Sequence, residues 1–291
     1  MLSTTSSRLA TFAAALCLAG GAAAAVGSAT GATPPFQDCL KVAAGETETM
    51  DAMAGEPMVE AVAGANGLRS ELAGLRLSPS GRSLSPWRFR IMGCDGEPIR
   101  DFEPEQGKLL HLIVVRSDFT GYQHLHPVLG RDGTFSVDVD AARPGRYRAI
   151  ADFVVDGRKY VLGTDLRVPG TAIDEPLPAP ALEASVDGYD VELQRPAVLE
   201  AGEEEQLTFR ITREGRPVRD LEPYLGAYGH LVALHAPDLA YSHVHPAGED
   251  RSAGVITFDA ELDKPGTYRL FVQFQTGGRV HTVAFTQKVS R

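Results

Sequence analysis

A histidine-rich segment occurs twice in this chain, and it constrains the fold more than any other feature. Residues 111–127 read HLIVVRSDFTGYQHLHP, and residues 230–246 read HLVALHAPDLAYSHVHP. Each histidine of the shared pattern recurs at one constant offset (230 − 111 = 119). The three equivalent pairs are His111 and His230, His124 and His243, and His126 and His245. A constant offset indicates that the surrounding sequence has been duplicated, so one fold must serve both copies.

The duplication extends well beyond the histidines. Residues 87–112 (WRFRIMGCDGEPIRDFEPEQGKLLHL) match residues 207–231 (LTFRITREGRPVRDLEPYLGAYGHL), and RPGRYRAIADF at 143–153 matches KPGTYRLFVQF at 264–274. A unit of about 110 residues is a domain, because solenoid repeats run to roughly 20–50 residues. Each unit contains short runs rich in Val, Ile, Phe and Tyr between turn dipeptides such as Asp-Gly and Pro-Gly. The sequence therefore predicts an all-β protein of two tandem immunoglobulin-like or cupredoxin-like β-sandwich domains.

Composition shifts along the chain suggest the domain boundaries. An apolar, alanine-rich run over residues 9–26 is followed by small residues, which predicts a signal peptide or N-terminal anchor over 1–30. We expect a flexible lead-in at 31–60, β-sandwich 1 at 61–171, a proline-rich linker at 172–185 and β-sandwich 2 at 186–291. No later stretch has the roughly 20 apolar residues of a membrane span. The chain is therefore expected to be secreted or held in the cell envelope, anchored to the membrane if the leader is not cleaved.

Charge and cysteine content narrow the classes further. The net charge is −10, and no basic cluster exists to bind phosphate, so nucleic acid is not expected as a partner. Removal of the leader takes Cys17 with it and leaves Cys39 and Cys94. In an oxidising compartment these two cysteines either form a disulfide or remain two free thiols.

The spacing of the histidines predicts that they converge in each hairpin. If residues 117–120 and 236–239 form four-residue turns, opposed positions sum to 237 in the first hairpin and to 475 in the second. His111 then lies opposite His126 and His230 opposite His245, and alternation brings His124 and His243 onto the same faces. Opposed Cβ atoms lie about 4.5–5.5 Å apart, which is close enough for three imidazoles to share an ion. We expect these faces to be core faces, with one three-histidine site at the end of each sandwich.

Three neutral imidazoles suit Cu(II) or Zn(II). A blue-copper centre requires a cysteine thiolate, and the second copy contains no cysteine. Met50, Met53 and Met58 in the lead-in are soft ligands that would favour copper.

His235 is expected at the surface, whereas His281 could add a fourth ligand in the second copy. The repeated Asp-x-Glu-Pro, with Glu103 and Glu222, offers either a metal-binding carboxylate or simple turn chemistry.

The phrase HL…YxHxHP after a D-(F/L)-E-P loop resembles a group of exported bacterial proteins with two tandem β-sandwich modules, described as secreted or heavy-metal-binding. More loosely, each unit is similar to periplasmic copper-resistance domains of the copper-resistance-protein-C kind. Those domains usually begin with a ligand histidine and carry a methionine-rich loop, and this sequence shows neither. The resemblance implies metal handling in general.

The sequence thus predicts an exported, non-catalytic protein that holds copper or zinc in two three-histidine sites, for sequestration or delivery. The ligands would be His111, His124, His126, His230, His243 and His245. The alternative is an envelope module that binds another protein and whose histidines are structural. A metalloenzyme is not expected, because HExxH and GxSxG are absent from the sequence and no general base stands beside the histidines.

Overall fold

The computed structural model describes residues 74–242 and 244–291, together with the backbone of 63–64, 67–68 and 71–72. Within these residues all regular secondary structure is β, and no helix there is long and apolar enough to cross a membrane. The predicted leader at 1–30, the lead-in at 31–60 and Cys39 lie outside the described residues. Cys94 is disulfide-bonded.

Domain 1 is a sandwich of two sheets. Its outer sheet has the order β3-β4-β5-β9-β8, its inner sheet has the order β11-β10-β6-β7, and β1 and β2 form a separate ribbon. The strands are β1 (Ala63–Gly64), β2 (Gly67–Leu68), β3 (Glu71–Leu72), β4 (Leu75–Ser80), β5 (Trp87–Met92), β6 (His111–Arg116), β7 (Gln123–Leu125), β8 (Val128–Leu129), β9 (Phe135–Val137), β10 (Gly145–Val155) and β11 (Arg158–Val168).

Domain 2 repeats this plan after a strand-free connection at 169–182. Its outer sheet has the order β12-β13-β15-β20-β19, with β16 on β15, and its inner sheet has the order β14-β22-β21-β17-β18. The strands are β12 (Glu183–Val186), β13 (Tyr189–Gln194), β14 (Leu199–Glu200), β15 (Glu204–Arg213), β16 (Arg216–Pro217), β17 (Gly229–His235), β18 (Tyr241–Ser242), β19 (Val244–Asp250), β20 (Val255–Glu261), β21 (Gly266–Thr276) and β22 (Arg279–Ser290). The prediction of two all-β, immunoglobulin-like sandwiches is confirmed.

Burial differs between the two sheets of each domain. Outer strands such as β13 alternate buried and exposed residues, as expected of a sheet with one solvated face. By contrast, every residue of β6 and of β17 is buried, so the inner sheets are covered on both faces. One face of β6, with Leu112 and Val114, belongs to the core of domain 1.

The other face of each inner sheet packs against the other domain. Domain 1 contributes Ile113, Val115 and Ile150 to this interdomain core, and domain 2 contributes their counterparts Val232, Leu234 and Phe271. Tyr122 of domain 1 stacks on Phe271 of domain 2, with ring centroids 3.9 Å apart. Because equivalent surfaces face one another, the packing is that of an isologous dimer within a single chain. The expectation that the histidine-bearing face lines a sandwich core was therefore wrong: it lines the interface between the domains.

The predicted hairpin register is confirmed where the strands pair. Leu112 pairs with Leu125 and Ile113 with His124, both sums being 237. Leu234 pairs with Tyr241, a sum of 475. The second hairpin then diverges from the first in where the chain changes sheets. In domain 1, β7 pairs in the inner sheet as far as Leu125 before β8 joins the outer sheet, whereas in domain 2 β18 ends at Ser242 and β19 pairs in the outer sheet from Val244.

Candidate metal centre

Three histidines of domain 1 meet at one end of the interdomain face. His111 begins β6, His124 lies in β7, and His126 follows β7 directly before Pro127. One ligand atom from each can be chosen so that all three lie within 4.8 Å of one another. Among the described residues this trio (His111, His124, His126) is the one such group of histidine, cysteine or acidic side chains. These three side chains could hold a metal ion.

The spacing of the rings fits a shared ligand. Their centroids lie 5.3 Å apart for His111 and His124, 5.0 Å for His111 and His126, and 4.9 Å for His124 and His126. His111 Nδ1 and His124 Nε2 are 3.0 Å apart. Two nitrogens bound to one tetrahedral zinc ion at about 2.0–2.1 Å would be about 3.4 Å apart. Small rotations of His111 and His124 would therefore suffice to place these two nitrogens on one ion.

The outer nitrogens of two trio members are held by acceptors. His111 Nε2 lies 3.1 Å from the carbonyl oxygen of Glu105, and His124 Nδ1 lies 2.8 Å from Oε1 of Gln273. The amide nitrogen of Gln273 donates to Thr282, which directs its oxygen to His124. A ring nitrogen that faces an oxygen acceptor must carry the hydrogen. In the neutral rings the inner nitrogens, His111 Nδ1 and His124 Nε2, are therefore the unprotonated ones.

Burial keeps His124 and His126 uncharged. It lowers the pKa of His124 to about 3, against the opposing bond to Gln273, and the neighbouring histidines lower it further. It also lowers the pKa of His126 to about 3, again with help from His111. Nε2 of His126 is itself buried and makes no hydrogen bond in the described structure. Neutral imidazoles with free lone pairs are the form that binds metal.

Domain 2 contributes to the same place. Gln273, which holds His124, lies in β21, and its cross-strand neighbour in the inner sheet is His230. The ring of His230 lies 5.9 Å from that of His124. Nε2 of His230 donates to the carbonyl oxygen of Tyr224 at 2.7 Å, as His111 donates to Glu105 at the equivalent position. Burial lowers the pKa of His230 as well, and the bond to Tyr224 opposes this.

The other residues of the predicted second site do not form such a three-ligand group among the described residues, although His245 lines one small cavity together with His230. His243 lies outside the described residues. His245 is exposed, and its backbone partner is Asp259 of β20 instead of the expected His230, since β19 belongs to the outer sheet. The second trio as a set therefore stays a prediction.

His235 and His281 have roles that differ from those expected. His235 was predicted at the surface but is buried, with Nδ1 2.7 Å from Asp238 and Nε2 3.3 Å from the carbonyl oxygen of Pro265. It occupies the position of Arg116 in domain 1, which binds Asp118 and the carbonyl oxygen of Pro144 in the same manner. A side chain on Gly266, which adopts a φ of 144°, would lie within 2.6 Å of the His235 ring, so the contact requires glycine.

His281 uses both of its ring nitrogens away from the trio. Nδ1 lies 2.8 Å from Asp187, Nε2 lies 3.0 Å from the Thr276 hydroxyl, and the ring stacks on Phe274 of the domain 2 core. It was considered a fourth ligand of the second site, but its position in the core gives it a structural role.

The glutamates of the repeated Asp-x-Glu-Pro cap hairpins. Glu103 accepts a hydrogen bond from the backbone of Gly157 at 2.6 Å, and Glu222 accepts one from Gly278 at 2.8 Å. Both amides lie in the turn between the last two strands of their domain. Turn chemistry, one of the two alternatives that the sequence left open, accounts for these carboxylates.

A small cavity of about 50 Å³ lies beside the trio, between the domains. It is lined by residues of both domains, including His111, His124, His230, Asp152 and Lys159. Oδ2 of Asp152 accepts from Tyr241 of domain 2 at 3.0 Å and lies 3.3 Å from the ammonium of Lys159. Burial raises the pKa of Asp152, although the charge of Lys159 opposes this.

Sequence reasoning missed Gln273, which orients His124 from the other domain. A signal was present in the aligned segments RPGRYRAIADF and KPGTYRLFVQF, where Asp152 and Gln273 are equivalent polar residues just before a buried phenylalanine. A polar side chain at the same position of a largely apolar strand in both copies indicates a specific partner.

The two sandwiches and the cluster between them define a tandem immunoglobulin-like protein with a three-histidine group that could hold a metal ion. The chain belongs to the family described as "Domain of unknown function (DUF8832)", which matches it twice, at residues 65–170 and 184–291. A comparison with curated proteins gives no match.

Several solved structures are similar over most of the chain. Domains 4 and 5 of the S-layer protein SbsC are 10% identical, cover 75% of this chain and 98% of theirs, and superpose with a TM-score of 0.24. InvD of Yersinia pseudotuberculosis is 12% identical over 74% of this chain and 57% of its own, with a TM-score of 0.25. A two-domain fibronectin type III segment of chicken tenascin is 12% identical over 73% and 97%, with a TM-score of 0.21.

Proposed function

We propose that this protein is an exported, non-catalytic metal-binding protein that holds Cu(II) or Zn(II) at the trio, for sequestration or delivery. The disulfide at Cys94 supports export, because such bonds persist in oxidising compartments. The signal-like N-terminal sequence supports it independently.

The observation that carries the proposal is the contact between His111 Nδ1 and His124 Nε2. The two nitrogens are 3.0 Å apart, and both outer nitrogens donate to oxygen acceptors. With both rings neutral, no hydrogen is available for a bond between the inner nitrogens, so two lone pairs face each other. A cation between them removes this repulsion and also satisfies the buried Nε2 of His126.

The donor set supports copper or zinc. Three imidazoles suit both ions, with a further ligand to complete the shell. The bonds to Glu105 and Gln273 match the outer-shell contacts that fix the tautomer of metal-binding histidines.

The cavity size supports binding over catalysis on an organic substrate. Its volume of about 50 Å³ compares with roughly 300–1,000 Å³ for pockets that enclose small organic ligands. An ion and a water molecule fit in such a space, because one water needs about 10–15 Å³ of cavity volume measured in this way.

The test is a titration of metal-free, untagged protein with Zn(II) or Cu(II) against a chromophoric chelator. The wild type should bind at least one tight equivalent, and His126→Ala should lose it, since His126 Nε2 makes no competing hydrogen bond. His235→Gln is the matched control, because His235 is a buried histidine away from the trio that bonds to Asp238 and to the carbonyl oxygen of Pro265. Loss of a second equivalent in His245→Ala would establish the second predicted site. Unchanged stoichiometry in His126→Ala would exclude the trio as the site.

A second candidate is an envelope interaction module whose histidines only stabilise the domain interface. It is favoured by the bonds of His111 and His230 to equivalent backbone carbonyls, a structural feature that both copies share. In that case the protein binds neither ion, and its melting temperature is the same with and without added metal.

A further inference from the structure

Domain 2 reaches the trio through two side chains of its inner sheet. Gln273 bonds to His124 at 2.8 Å, and the His230 ring lies 5.9 Å from the His124 ring at an interplanar angle of 79°. The rings within the trio are separated by 4.9–5.3 Å, so His230 stands only slightly farther from His124 than the trio rings stand from one another. The trio, whose three members belong to domain 1, thus lies at a contact between the domains.

The hydrogen bond of His230 determines which of its two nitrogens could be a ligand. Its Nε2 donates to the carbonyl oxygen of Tyr224, so its Nδ1 is the unprotonated nitrogen of the neutral ring. In domain 1 the same arrangement holds for His111, whose Nε2 binds the carbonyl oxygen of Glu105 and whose Nδ1 faces the trio. Duplication has therefore supplied a fourth imidazole with its tautomer already fixed.

The surroundings of His230 leave room for an ion. His111, His124 and His230 line the same cavity of about 50 Å³ between the domains. His230 is buried, so its position is set by β17 and by the packing of Val232 and Leu234 against domain 1. A ligand held on a packed strand costs little to order when the metal binds.

We propose that the metal site bridges the two domains, with Nδ1 of His230 as the fourth ligand beside the trio. This inference rests on the proposed function, and it adds a consequence. An ion bound by both domains stabilises their packing, and by linkage the packed interface raises the affinity for the ion by the same factor. Metal binding would then stabilise the interface between the domains, and release of the metal would destabilise it.

The experiment uses the full chain and combines metal affinity with hydrogen exchange. His230→Ala should weaken Zn(II) binding by at least about ten-fold, since removal of a ligand should cost no less than removal of an outer-shell partner. His230→Gln is a second variant, whose amide can still donate to the carbonyl oxygen of Tyr224 but which lacks the imidazole. In the wild type, Zn(II) should slow amide exchange in β17 of domain 2 as well as in β6 of domain 1, and β13 in the outer sheet serves as the internal control.

The outcomes separate the two proposals. Ten-fold weaker binding in both His230 variants, with zinc-dependent protection of β17 in the wild type alone, supports the bridge. If the wild type binds zinc but the His230 variants match it, or β17 gains no protection, the bridge is overturned and the proposed function stands. If the wild type binds no metal, the proposed function fails, and the bridge fails with it.

Discussion

A substitution of Gln273 tests how the trio is oriented, because Gln273 is not one of the proposed ligands and would act on the metal only through its hydrogen bond to His124. Its Oε1 accepts the hydrogen of His124 Nδ1 at 2.8 Å, which leaves Nε2 of that ring with the lone pair. Gln273→Leu keeps a similar side-chain volume but removes the acceptor. His124 could then carry its hydrogen on either nitrogen, and one tautomer cannot bind metal through Nε2.

The expected magnitude follows from the role of the contact. Removal of an outer-shell partner of a metal-binding histidine typically weakens metal affinity by 10- to 100-fold, or about 1.4–2.7 kcal/mol. The metal-free protein should also lose about 1–3 kcal/mol of stability, because the Nδ1–H of His124 is left without its partner. Gln273→Glu keeps an acceptor, so its metal affinity should equal or exceed that of the wild type.

The assay is competition for Zn(II) with a chromophoric chelator, together with urea denaturation of the metal-free protein. Gln275→Leu is the matched control, since Gln275 lies two residues along the same strand and donates to Glu222, away from the trio. Its zinc affinity should match that of the wild type. Zinc binding by Gln273→Leu within two-fold of the wild type would refute the orienting role.

Three further predictions concern the fold, and urea denaturation of the metal-free protein measures each. Phe271→Ala should lower the free energy of unfolding by about 3–5 kcal/mol, because the ring is 3% exposed and stacks on Tyr122 across the interface. A decrease of less than about 1 kcal/mol would mean that the domains do not pack as described. Tyr241→Phe should lower the free energy of unfolding by about 1–3 kcal/mol, because buried Asp152 loses its hydrogen-bond donor from domain 2. Burial raises the pKa of Asp118, but hydrogen bonds from Thr120 and Glu175 and the charge of Arg116 outweigh this and lower it overall. The contribution of ionised Asp118 to folding stability should therefore be complete above its unfolded-state pKa of about 3.9, and it should be lost as the pH falls through its lower folded-state pKa. On acidification below about pH 4, Asp118→Asn should thus lose less stability than the wild type loses.

The local structure of the hairpins could be predicted from the sequence because it depends on neighbouring residues. Turn length and alternation fixed the pairing of Ile113 with His124, and the repeat transferred that register to Leu234 and Tyr241. The same pattern could not show which face of β6 meets which partner. Both faces are apolar, Leu112 and Val114 on one and Ile113 and Val115 on the other, so the run fits either a sandwich core or a domain interface.

The position of His230 beside His124 could not be predicted for the same reason. Sequence spacing relates residues within a hairpin, whereas the contact of His124 with His230 and Gln273 depends on how two folded domains dock. The exposure of His245 depends on the move of β19 to the outer sheet, which breaks the equivalence with His126. The repeated sequence therefore predicts the pairing near each turn, whereas the surroundings of each histidine also depend on where the chain changes sheets and how the domains dock.

Asp152 and Gln273 are equivalent residues of the duplicated surface, but one ties the domains together and the other orients His124. The residues occupy equivalent places beside His111 and His230. The neutral amide of Gln273 accepts from His124 and brings no charge that would offset the burial keeping this ring neutral. The carboxylate of Asp152 instead joins Lys159 and the hydroxyl of Tyr241 from the other domain, a buried contact that ties the domains together. Because breaking either contact leaves a buried polar group without its partner, both act against separation of the domains, and the histidines between them are held in place whether or not an ion is bound.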